Sequence, residues 1–192
     1  MTTYFTSDLH FYHKNVCKFT RRHEVVQQEH HEEWLIDIWN STVKKSDKIW
    51  HLGDLTFLTK YEDIAVLVKK LNGQKFFIKG NHDRTKVLDQ LKKDNLIQNW
   101  YQYEEIKIGE TPVCLFHFPI ASWHKVGHGA WHLHGHSHSS YKTGKGKILD
   151  VGIDSAYDIT GKHKFFSEED IANYMSHREV QTVDHHRIIE KE

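Results

Sequence analysis

Five times along this chain a short apolar run stops and a cluster of Asp, Asn or His follows at once. Tyr4-Phe5 leads to Ser7-Asp8-Leu9-His10, and Ile49-Trp50 leads to Leu52-Gly53-Asp54. Phe76-Phe77-Ile78 leads to Gly80-Asn81-His82-Asp83, and Val113-Cys114-Leu115-Phe116 leads to His117. Trp131-His132-Leu133 leads to His134-Gly135-His136-Ser137-His138. Short apolar runs read as strands, and ligands gather at the strand ends of open α/β sheets. One such junction would mean little. Five of them constrain the fold to one that brings several strand ends to the same place.

The stretches between the runs are amphipathic, which predicts a layered α/β or α+β fold. Leu35, Ile38, Trp39 and Val43 make one apolar stripe and predict a helix over about Glu29 to Lys44. Ile64, Leu67, Val68 and Leu71 predict another over Glu62 to Leu71, stopped by Asn72-Gly73. Val87, Leu88 and Leu91 place a third over Thr85 to Lys93. Ser167, an N-cap type followed by Glu168, Glu169 and Asp170, opens a fourth. Strands are expected at Thr3–Thr6, Lys48–Leu52, Lys75–Ile78, Glu104–Ile108, Val113–Phe116, Trp131–Leu133 and Ile148–Val151. The polar residues from about 177 to 192 read as a surface strand or a loose tail.

A chain of 192 residues reads most simply as one domain. It carries 18 His, far more than core packing calls for. Lys plus Arg number 26 and Asp plus Glu number 26, so no strong overall basic charge advertises a nucleic-acid grip. The two cysteines, Cys17 and Cys114, form no CxxC and no disulfide framework, which favours a reducing cytoplasm. No signal peptide or membrane span is expected.

Asp, Asn and His offer oxygen and nitrogen donors, which suit Mn, Fe, Zn or similar divalent ions. Asp8, His10, Asp54, Asn81, His117, His136 and His138 make seven ligands, too many for one tetrahedral ion. With one carboxylate shared, they suit two ions that together clamp a phosphate. No GxxxxGK[ST] loop or GxSxG elbow occurs. His23-Glu24-Val25-Val26-Gln27 fails the zinc-protease pattern, because Gln stands where the second His must be.

The ordered set Asp8-x-His10, Gly53-Asp54, Gly80-Asn81-His82-Asp83, His117 and Gly135-His136-Ser137-His138 resembles the calcineurin-like metallophosphoesterase superfamily. It spans about 130 of the residues. The opening from Phe5 to Val16, with a helical insertion over about 14–46, is similar to small single-domain members from bacteria and phages. The resemblance implies an αββα sandwich of two packed mixed sheets. It also implies two divalent ions, Mn first and Fe, Zn or Ni as alternatives. Asp8, His10 and His138 would hold one ion, Asn81, His117 and His136 the other, and Asp54 would bridge them. A hydroxide between the ions would attack phosphorus. His82 would be the general acid for the leaving oxygen, with Asp83 orienting it. That proton typically contributes ~100- to 10,000-fold.

His13 and Arg84 stand close to ligands in sequence and are candidate phosphate contacts. His134 and His51 are candidate groups behind the ligands. Arg21, Arg22 and His30-His31 read as solvated surface. The expected activity is metal-dependent hydrolysis of a phosphodiester or phosphomonoester on a small molecule or nucleotide. A nuclease on DNA or RNA is the alternative, and a metal-free binding scaffold is disfavoured because no ligand is missing. Nothing in the sequence decides an oligomeric state.

Overall fold

The apolar runs become strands in a computed structural model that describes residues 1–141 and 145–181. In chain order the elements are β1 (Thr3–Thr6), α1 (Val16–Phe19), α2 (His31–Thr42), β2 (Lys48–His51), α3 (Tyr61–Lys70), β3 (Gln74–Ile78) and α4 (Thr85–Lys93). Then follow β4 (Asn99–Tyr101), β5 (Tyr103–Ile108), β6 (Thr111–Phe116), β7 (Trp131–His134), β8 (Ile148–Asp150), α5 (Ile153–Thr160), β9 (Phe166–Ser167) and α6 (Glu168–Ser176). The first sheet runs β4-β3-β2-β1-β9, parallel except for β9. The second runs β5-β6-β7-β8, in which the β5–β6 pair is antiparallel and the rest parallel. This is the expected α/β arrangement of two mixed sheets flanked by helices.

Strand alternation decides what each sheet face buries. Ile49 and Phe77 point outward from the first sheet and pack with Leu35 and Trp39 of α2, Ile64 and Leu67 of α3, and Leu88 and Leu91 of α4. Phe5, Trp50 and Ile78 point the other way and meet Val113, Leu115, Leu133 and Leu149 of the second sheet. The register sets Phe5, Trp50 and Phe76 in one row across β1, β2 and β3. Burying a side chain such as Leu or Phe stabilises by about 1.5–3 kcal/mol relative to exposure, so both sheet faces contribute. Residues Trp123, Val126 and Ala130 cover Cys114 and Ile148 on the far face of the second sheet.

The α6 cap is a full capping box: Ser167 accepts from the Asp170 amide while Asp170 accepts from that of Ser167. Helix α2 starts later than the stripe predicts, after a 3-10 turn at Gln28–His30, and stops where Val43 turns extended. Strand β9 has two residues and β4 three, too few for a periodic signal, and both escape the sequence reading. Of the expected tail, residues 182–192, with His185 and His186, lie outside the described residues.

Two readings of the insertion are corrected. Arg22 and His31 are wholly buried, not solvated. Arg21 does lie on the surface, paired with Glu24.

Candidate metal centre

All five junctions converge because they follow the C-terminal ends of parallel strands β1, β2, β3, β6 and β7. A parallel bridge between Ser7 and Gly152 links the first sheet's strand end to the second sheet's. The turns that aim the side chains are strained. Asp8, His10, Asp54, His136 and His138 all have positive φ, five of the nine such non-glycine residues described. Each costs about 1 kcal/mol or more, which a fold tolerates where the geometry serves a site. Two glycines permit the close approach. A Cβ at Gly80 would stand 2.2 Å from Asp54 Oδ1, and one at Gly135 would stand 2.4 Å from Asp8 Oδ2.

Two donor groups result. In the first, His10 Nε2 and His138 Nε2 face each other at 2.9 Å. Asp8 Oδ1 lies 3.8 Å from the one and 3.9 Å from the other. Asp8 Oδ2 accepts from Ser7 Oγ and from the His136 amide, while Oδ1 is buried with no hydrogen-bond partner. A carboxylate oxygen buried beside two imidazole nitrogens suits a cation, since a bare buried acceptor is costly. In the second group, Asp54 Oδ2 lies 3.5 Å from His117 Nε2. Asn81 Oδ1 lies 2.9 Å from both His117 Nε2 and His136 Nδ1. Asp54 Oδ1 is held by the His82 amide, which leaves Oδ2 to face the centre. The ligand atoms of Asp8, His10 and His138, and those of Asp54, His117 and His136, each gather within 4.8 Å of one another. Donors around an ion at about 2.1 Å must gather in this way. The residues present therefore fit two divalent cations.

In two of the ligand imidazoles, those of His117 and His138, a hydrogen bond at the other nitrogen sets the direction of the ring. His117 Nδ1 donates to the Leu52 carbonyl at 2.7 Å. His138 Nδ1 donates to Asp154 Oδ2 at 2.7 Å. Asp154 is in turn gripped by Arg22 through Nε and Nη2, both at 2.8 Å. Arg22 also donates to the carbonyls of Asp8 and Leu9 and to His31 Nε2, so all five of its N–H groups are used. Burial alone disfavours charge here, and pairing overrides it at His117, His138 and Asp54. Burial opposes the imidazolium of His117, but the Asp54 hydrogen bond raises it to about 9. Burial likewise opposes that of His138, and Asp154 outweighs it. Burial pushes the Asp54 carboxyl up, and His117 holds it down at about 2. Asp8, with a free oxygen, is driven by burial up to about 7, and His10 is driven down to about 2. An ion held by His117 would compete with a proton for its Nε2, so metal affinity would fall as the pH is lowered.

His82 is exposed at the rim, its Nε2 3.9 Å from Asp54 Oδ2. Asp83 accepts from the amides of Asp54, Gly80 and Leu55. It therefore ties two ligand loops together and shares no hydrogen bond with the His82 ring among the described residues. His13 sits beside the first group, its ring 5.9 Å from that of His10. Arg84 is exposed and caps α4, lining an open groove with Lys79 and Lys86. His134 is buried against the Gly135 carbonyl and the His132 ring. His51 packs between Trp39 and Phe77, in the helix-side core, and neither of its ring nitrogens has a partner.

Asp150 and Asp154 escaped the sequence reading. Asp150 closes the strand that starts at Ile148, a sixth junction of the same kind, and that pattern could have found it, whereas Asp154 in the first turn of α5 carries no such signal. Asp150 accepts from Ser137 Oγ, Ser139 N and Gly152 N, which shapes the loop carrying His136 and His138.

A sandwich of two mixed sheets whose strand ends present two clusters of oxygen and nitrogen donors defines a class of metal-binding α/β proteins. The chain belongs to the calcineurin-like phosphoesterase family, whose profile matches residues 1–190. Gene 66 protein of Mycobacterium phage L5 is 27% identical over 205 residues, covering 92% of this chain and 97% of that protein. An uncharacterised protein of Methanocaldococcus jannaschii is 31% identical over 140 residues, covering 72% and 70%. A crystal structure of a protein of unknown function from Aquifex aeolicus shares the fold, with a TM-score of 0.65 and 23% identity over 90% of this chain and 98% of that one. Among the described residues no helix is long and apolar enough to cross a membrane.

Proposed function

We propose that this protein hydrolyses a phosphodiester or phosphomonoester of small-molecule or nucleotide type with two divalent metal ions, Mn foremost. The observation that carries the reading is the pair of adjoining donor groups, joined where the His136 amide grips Asp8, in which Asp8 Oδ1 has no hydrogen-bond partner and Asp54 Oδ2 faces the His117 ring. Divalent ions in such a site polarise phosphoryl oxygens and yield a nucleophile from water near neutral pH.

Asp8, His10 and His138 would hold one ion, and Asn81, His117 and His136 the other. Asp54 suits the shared position, because its backbone-held Oδ1 leaves Oδ2 aimed between the loops. His82 stands at the open rim beside Asp54 and delivers a proton to the leaving oxygen. Asp83 keeps that loop closed on the β2 turn. Arg84 and His13 flank the opening as contacts for the phosphate or its substituents. The free, buried Cys17 and Cys114 support a reducing compartment such as the cytoplasm.

The test is a panel of bis-nitrophenyl phosphate, nitrophenyl phosphate, cyclic nucleotides and single-stranded DNA, run with chelator and then with added Mn²⁺. Hydrolysis should vanish in chelator and return with Mn²⁺. A preparation that binds no stoichiometric divalent metal and cleaves nothing overturns the reading. His82→Ala should keep its metal and lose ~100- to 10,000-fold in kcat on an alkyl ester, with a smaller loss on nitrophenyl esters. An alkyl ester cleaved at the wild-type rate removes His82 from the acid role.

A further inference from the structure

Three aromatic side chains around the metal centre belong to none of the three hydrophobic clusters: Phe19, Phe57 and Phe118. Phe57 is 36% exposed and Phe19 77% exposed. Folding gains little from rings left in water. Their placement is not scattered. The Phe57 ring lies 4.7 Å from the ring of His82 and 5.3 Å from that of His10. His13 meets it edge-on at 4.3 Å with an 88° interplanar angle, and Phe19 adjoins His13 at 6.3 Å. On the opposite side Phe118 lies 4.6 Å from His136 and 5.0 Å from His117. The first donor group and His82 thus share one aromatic wall, and the second donor group has another.

We propose that Phe57, held edge-on by His13, is a stacking wall for a nucleobase on the side of the ester that departs past His82, so that the substrate class is a nucleoside phosphodiester. This rests on the phosphoesterase reading and names its substrate. The phosphate occupies the donor groups, and the substituent on its leaving side emerges beside His82, where it meets the nearest ring, Phe57. A neutral ring face selects a planar partner without reading its hydrogen-bonding edge, because every base has a π-face. A simple aliphatic ester would leave this wall in water.

The experiment compares a thymidine dinucleotide with the same diester lacking the base on its leaving side, using Mn²⁺-loaded protein. Base stacking removed by substitution changes affinity about 5- to 150-fold. The wild type should favour the dinucleotide in kcat/KM by a factor in that range. Phe57→Ala and Phe57→Leu should bring the ratio of the two substrates near one, whereas Phe57→Tyr should hold it. The leucine variant fills the space without a ring face, which separates stacking from packing against His10. Equilibrium binding of the two esters as uncleaved phosphorothioates should give the same ratio without turnover. A wild-type ratio near one, or a ratio that Phe57→Leu preserves, overturns the stacking wall while hydrolysis stands. If neither ester is cleaved, the phosphoesterase reading fails, and the binding ratio alone decides the wall.

Discussion

The two donor groups are built by different means. The second is assembled from its own neighbourhood. His117 leans on the Leu52 carbonyl, Asp54 on the His82 amide, and Asp83 closes the same pair of loops. Its anchors are backbone groups within the motifs themselves. The first is braced from afar. His138 leans on Asp154, Asp154 on Arg22, and Arg22 on the carbonyls under Asp8 and Leu9. Arg22 and Asp154 are 132 residues apart in the chain. A buried charge network therefore supports one half of the centre and amide dipoles the other. The first half is the one that substitutions far from the motifs can break.

The largest effect should come from Arg22→Ala. Removing one partner of a buried pair costs about 3–5 kcal/mol, read as a lowered urea midpoint. Metal titration should then show one ion held in place of two, the second donor group surviving. Arg22→Lys should rescue little, because three donors on a point charge cannot serve five acceptor positions. Equal loss of both ions at unchanged stability would erase the contrast.

Asp154→Asn is a finer probe. Replacing a hydrogen-bonded carboxylate behind a ligand imidazole typically costs 10- to 100-fold in metal affinity. Calorimetry should assign that loss to one of two binding steps. A loss spread over both steps would mean that the halves are coupled rather than separately braced.

The smallest effect is a pH dependence set in the helix-side core. Burial lowers His51 to about 3, so the folded protein keeps it neutral while the unfolded chain takes up a proton near 6.5. Stability from this group is complete above pH 6.5 and drains away as pH falls toward 3. His51→Phe, which keeps a ring against Trp39 and Phe77, should therefore lessen the stability lost between pH 7 and 5.5 by about 1 kcal/mol. Denaturant midpoints at the two pH values measure it, and parallel curves for variant and wild type would count against a neutral buried His51. Burial holds His31 and His132 near 3 as well, so some acid sensitivity should remain in the variant.

Much of the molecule can be read from its residues. The junctions at Asp8, Asp54, Asn81, His117 and His136 are local events: a strand ends, and a tight turn presents a donor. Apolar spacing likewise locates α3 and α4 to within a residue. The brace was not legible. Arg22 in a polar stretch looks like any solvated arginine, and Asp154 looks like an ordinary first-turn carboxylate of a short helix.

What the sequence alone determined, then, is which side chains stand at strand ends, because alternation and chain reversal are properties of neighbouring residues. Only the tertiary structure decided which of those ends meet, that Arg22 is buried beneath Asp8, and that Asp83 spends its oxygens on amides. Those outcomes follow from how two sheets and an insertion pack, where the free energy of a buried charge depends on partners more than a hundred residues away.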